Sequence, residues 1–203
     1  MTKLLPVYLV FLFFSFNLSA QQDSAKYTTG DLSTLFTNII DLTDDAFGCS
    51  DTLTVSIPAG NYVTSVDVFY SMEAKGTGDV SDQGSYLECL STNTSESAIS
   101  FGDPLWDSIG VYKYARTGLN IANGTSVSGD IDFFLHGFRN AVFPPGLCSD
   151  NAQSILNNTW RVIVHHSPPP SCFPPSSIVA TGVTSSSITL NWVTGGLTDS
   201  KYS

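Results

Sequence analysis

The feature that most constrains this chain is the alternation of residues 62 to 72. Tyr62, Thr64, Val66, Val68, Tyr70 and Met72 fall on one side, and Val63, Ser65, Asp67, Phe69 and Ser71 on the other. A period of two places successive side chains on opposite faces of a strand, so the segment reads as a half-buried β-strand. Two later segments repeat the pattern. In Asp130 to Phe138, Ile131, Phe133 and Leu135 share a face; in Thr159 to His166, Trp160, Val162 and Val164 do so. Thr52 to Ile57 is β-branched and ends at the turn Pro58-Ala59-Gly60. Ser85 to Ser91, Ala98 to Phe101 and Gly110 to Tyr114 are shorter candidates. Helical spacing is weak except over Leu32 to Leu42, where Leu35, Phe36, Ile39 and Ile40 recur at helix-like intervals. Many short strands with Gly, Pro, Asn and Ser turns predict an all-β sandwich or barrel.

Composition narrows the class. Of 203 residues, 42% are hydrophobic and 13% charged, which excludes a disordered chain. Acidic residues number 18 against 8 basic, a net charge of −10, and this argues against nucleic acid and anionic membrane surfaces as partners.

Residues 1–20 have the layout of a secretory signal peptide. Lys3 is a short basic region, Leu4 to Phe16 is apolar, and Ser19-Ala20 offers small residues for cleavage. The apolar run is shorter than the ~20 residues of a spanning helix, so no membrane insertion is expected after cleavage. The expected location is secreted or cell-surface. In such a protein Cys49, Cys89, Cys148 and Cys172 read as disulfide partners. Four cysteines allow three connectivities. The expectation is Cys89 with Cys148, because both lie in the region assigned to one sandwich while Cys172 lies beyond a proline linker.

That linker is Ser167 to Pro175, a polyproline-type spacer. Residues 176–203 follow. Pro175, Val183, Thr184, Ser187, Leu190 and Trp192 fall at the intervals of the opening strands of a fibronectin type III domain, which this segment resembles. Such a domain needs about seven strands and ~100 residues, so the resemblance implies a truncated, incomplete immunoglobulin-like sandwich. The body has a fainter resemblance, carried by Val63 to Met72, Gly84 to Glu96 and Asn157 to His166. It is similar to the jelly-roll modules that precede fibronectin repeats in secreted proteins of Bacteroidetes-type bacteria, and to the P-domain that follows subtilisin-like proteases. Trp160, Val162 and Val164 match the late P-domain pattern, with Val162 in place of the usual Leu. The expected organisation is a signal peptide (1–20), an N-terminal segment (21–48), an antiparallel jelly-roll β-sandwich (49–166), the linker (167–175) and the fibronectin-like start (176–203).

Catalytic patterns are sparse. Gly124 to Gly129 is one residue too long for a nucleophile elbow. His165 and His166 are adjacent on a strand, so their rings point to opposite faces, and a strand-end edge position is expected. His136 lies opposite Phe133 and Leu135 and reads as solvated. Asp130 with Asp132, Asp44 with Asp45 and Asp51, and Asp79 with Asp82 are the acidic groups from which a structural calcium site could be drawn, although most read as solvated acids. No other cofactor is expected. Sequons stand at Asn93, Asn123 and Asn157. Trp106, Tyr112 and Tyr114 lie in a loop-rich stretch, Gly102 to Leu119, and form a candidate aromatic ligand platform, against which stands packing at the edge of the core.

These readings lead to a non-catalytic secreted or surface module of a larger multidomain bacterial protein. Its role would be adhesion or binding of an extracellular protein or glycan. The alternatives are an accessory domain of a secreted protease or glycosidase, or a carbohydrate-binding module.

Overall fold

In the computed structural model, the residues described are 21–37, 42, 46, 48–125, 129–140, 147–168, 173–182, 184 and 187–195. Residues 1–20, with the expected signal peptide, lie outside them, as do Cys172 and much of the proline linker. The described chain is all-β. Its strands are β1 (Gln21–Lys26), β2 (Leu32–Thr37), β3 (Thr52–Ser56), β4 (Tyr62–Ala74), β5 (Gln83–Cys89), β6 (Thr94–Ser95), β7 (Ser100–Phe101), β8 (Gly110–Leu119), β9 (Gly124–Thr125), β10 (Asp130–Asn140), β11 (Cys148–Ile155), β12 (Arg161–Ser167), β13 (Phe173–Thr181) and β14 (Thr189–Gly195).

The first twelve form a β-sandwich. One layer runs β1-β12-β4-β8, with β9 also on β4. The other is built on β10, which pairs β5 on one side and β2 and β3 on the other, with β6 and β7 on β5. β11 joins the layers, pairing β2 and the end of β4. The expectation of antiparallel pairing meets one exception among the described ladders, since β2 runs parallel to β10.

The core is where the alternation places it. Val66, Val68, Ile131, Phe133, Leu135, Trp160, Val162 and Val164 all belong to one cluster, each at most 3% exposed. Burying each such side chain contributes about 1.5–3 kcal/mol. The alternation of β4 does not hold throughout. Val63 is buried while Tyr62 and Thr64 are exposed, and Val66 is buried again. Register shifts in both flanking ladders mark the irregularity; an extra residue in a strand reverses the face that follows.

Three expectations are corrected here. Leu32 to Thr37 is a strand and not the start of a helix; β2 pairs β10 and β11, and this pairing outweighs local spacing. Residues 21–37, expected to precede the sandwich, supply β1 and β2 to it. Cys89 does not bond Cys148. It is a free thiol buried in the main core opposite Phe133, whereas Cys148 bonds Cys49.

β13 and β14 form a separate two-stranded sheet, paired among the described residues with each other. β13 carries Pro174 and Pro175, and its register shifts between Phe173 and Ser177, as expected where prolines cannot donate to a ladder.

Candidate functional site

The predicted platform does not assemble. Residues 110–119 are a strand, β8, and Tyr112 and Tyr114 occupy its inward positions. Tyr114 is buried, stacked on Tyr70 at 4.7 Å, and its hydroxyl donates to Gln83 Oε1 at 3.1 Å. Tyr112 stands edge-on to it at 5.0 Å and packs against the core. Burial, followed by Tyr70 and Tyr112, raises the Tyr114 hydroxyl far above its ordinary pKa, so it stays protonated. Trp106 lies in the loop before β8. It is 38% exposed and its indole lies over Gly110. The reason is parity: aromatics two apart on a strand share a face, and here that face is the interior.

The histidines are engaged with carboxylates. His136 is buried rather than solvated, in a second apolar cluster on the outer face of β5 and β10 with Tyr86, Phe138, Ala46 and Cys49. Its Nδ1 accepts from the Ala46 N–H at 3.2 Å, and its Nε2 lies 2.8 Å from Glu88 Oε2. His166 is likewise buried, between Asn61 (2.8 Å) and Asp23 (2.9 Å). Its strand is flanked on both sides, so the expected edge position is not observed. His165 points the other way and meets Asp67 at 2.8 Å. With both ring nitrogens of His136 and His166 occupied, each acts as a brace.

Of the acidic groups, Asp82 lies close enough to Asp79 and Asp107 to feel their charges. Asp51 accepts from the Tyr27 hydroxyl and the Thr52 N–H, and Asp132 from the Thr54 hydroxyl. Asp44 and Asp45 lie outside the described residues. Among the described residues, no group of three or more His, Cys, Asp or Glu side chains could hold a metal ion.

Parity on β8 leads instead to Arg116, the next inward position after Tyr114. It lines an open cleft of 720 Å³ between Thr94 to Ser100, from one layer, and Arg116 to Ile121, from the other. Arg116 Nε is 2.8 Å from Glu96 Oε1, and Nη1 donates to the Tyr70 hydroxyl at 2.6 Å. Glu96 Oε2 accepts from the Leu87 N–H at 2.6 Å. The Tyr70 hydroxyl also bonds Ser85. Both charged side chains are largely buried. Burial pulls the guanidinium down, but Tyr70 and Glu96 outweigh it and hold Arg116 above the ordinary arginine pKa. The guanidinium therefore stays ionised, and its pairing with Glu96 ties the loop after β6 to β5 and to β8 across the mouth of the sandwich. Around it the lining is neutral, with Thr94, Ser95, Ser97, Ser100, Thr117 and Asn120 supplying hydroxyls and an amide, and Ile99, Leu119 and Ile121 apolar contact. Arg116 and Glu96 were not singled out from the sequence. The signal that points to Arg116 is its place two residues after Tyr114 on an alternating strand.

No family model matches this chain, and no curated protein does. Among solved structures it is similar to a xylan-binding module CBM15, with a TM-score of 0.40 and 9% sequence identity over 74% of this chain and 99% of that chain. A likeness of this degree carries no functional argument.

Proposed function

We infer that this is a non-catalytic module that works outside the cell and holds a carbohydrate in the cleft between Thr94 to Ser100 and Arg116 to Ile121. The observation that carries the reading is the lining of that cleft. It is open, hydroxyl-rich and flanked by a few aliphatic side chains. A sugar offers the matching surface, with hydroxyls that exchange hydrogen bonds with neutral donors and acceptors and C–H faces that pack on Ile99, Leu119 or Ile121. The Cys49–Cys148 disulfide supports an extracellular setting, because disulfides persist in oxidising compartments. Among the described residues no helix is long and apolar enough to cross a membrane. The β13–β14 hairpin supports reading the following segment as the start of a fibronectin type III-like sandwich in a multidomain adhesion or scaffold protein.

A glycan array probed with labelled residues 21–203 tests the reading. Binding to a defined oligosaccharide is expected, with at least a tenfold loss on Ser97→Trp, which fills the cleft from an exposed position. An array without binding, or binding that Ser97→Trp leaves unchanged, overturns it.

A further inference from the structure

Two charged side chains line the cleft, Arg116 and Glu96, and they are bonded to each other. Both are held in place, although Arg116 Nη2 is buried without a hydrogen-bond partner among the described residues. Glu96 has one oxygen on Arg116 Nε and the other on the Leu87 N–H, and its own backbone N–H donates to Leu87 O at 3.0 Å. Arg116 is fixed from the other side by the Tyr70 hydroxyl. Within the cleft, the charge of Arg116 is cancelled by a partner that cannot leave without opening the loop. A carboxylate approaching Arg116 would meet Glu96 at close range in a partly desolvated site, where charge repulsion is strong. The chain as a whole is also acidic, at −10.

Building on the reading of the cleft as a saccharide site, we propose that it selects neutral saccharides over acidic ones, and that Glu96 is the residue that sets this preference. Its role is to neutralise an arginine that would otherwise be a ready binder of uronic acids. Guanidinium groups pair carboxylates through charge-assisted hydrogen bonds, so the same cleft without the Glu96 charge is an anion site. Glu96→Gln retains a carbonyl oxygen for the Leu87 N–H while leaving Arg116 with an uncompensated positive charge. Replacing Arg116 by Met in that background makes the cleft neutral again.

The test is calorimetric titration of residues 21–203 with hexasaccharides of equal length: cellohexaose, xylohexaose and mannohexaose as neutral probes, and hexagalacturonate as the acidic one. The wild type is expected to bind at least one neutral hexamer and to bind hexagalacturonate at least tenfold more weakly. Glu96→Gln is expected to shift the ratio toward hexagalacturonate by at least tenfold, and Glu96→Gln with Arg116→Met to return it. Wild-type binding of hexagalacturonate as tight as that of the best neutral hexamer overturns the inference while leaving the saccharide reading standing, and it needs no variant. An unchanged ratio in folded Glu96→Gln overturns the role of Glu96. If no hexasaccharide binds the wild type, this inference falls, while the glycan array decides the saccharide reading separately.

Discussion

Cys49 and Cys148 are bonded across 99 residues of sequence, with their Cα atoms 5.0 Å apart. The bond ties the segment before β3 to the first residue of β11, the strand that joins the two layers. Cross-linking so long a loop removes much of the freedom of the unfolded chain, and loss of such a bond costs about 2–5 kcal/mol. Cys49→Ser with Cys148→Ser, or reduction of the wild type, is expected to lower stability by that amount in urea unfolding. Cys89→Ala, which leaves the bond intact, should show no further sensitivity to reductant. A wild type indifferent to reduction would refute the role of the bond.

Gly102 stands where a Cβ would drive into the Val80 carbonyl. Its N–H donates to Gln83 O at 3.0 Å, so the backbone is held close and has little room to yield. Gly102→Ala is therefore expected to destabilise the fold by about 1–3 kcal/mol. Gly30→Ala is the useful contrast, because nothing lies within 4 Å of its Cβ position and its penalty comes from a φ of +127° alone. Thermal melts in which Gly102→Ala matches the wild type would show that the segment can shift.

Burial, and then the charges of Asp79 and Asp107, hold the Asp82 carboxyl above the usual carboxylate pKa. The folded chain therefore binds this proton more readily than the unfolded one. The stabilisation is complete below the unfolded value of ~3.9 and is lost as pH rises through the folded value. At neutral pH the ionised group is a small liability, screened by solvent because Asp82 is only partly buried. Asp82→Asn is expected to gain up to about 0.5 kcal/mol at pH 7 and nothing at about pH 3. An equal gain at both pH values would exclude the charge explanation.

The β13–β14 hairpin leaves Val179, Leu190 and, just before β14, Ile188 exposed, each at 49% or more. A lone hairpin is marginal in water, and among the described residues no ladder joins this one to the sandwich. Brief chymotrypsin treatment is expected to cut within residues 173–195 while a fragment retaining Trp160 survives. Cleavage of the sandwich first, with the hairpin intact, would show that the hairpin has a partner surface.

The sequence alone determined the all-β class and the inner faces of β10 and β12. A period of two is a local property of the backbone, so Ile131, Phe133, Leu135, Trp160, Val162 and Val164 announce their own burial. Parity also held the position of Arg116, two places after Tyr114, although the aromatics drew attention first. What tertiary structure decided was every feature that needs a distant partner. Leu32 to Thr37 became a strand because β10 and β11 offered it ladders, and the polar run Cys148 to Ile155 did so because β2 and β4 did. His136 sits on the face opposite the core, as its parity requires, yet it is buried because Ala46 and Cys49 cover that face. Cys49 meets Cys148, and Glu96 meets Arg116, only after the two layers close. No spacing along the chain encodes those distances, because each is set by which strands pair and on which side.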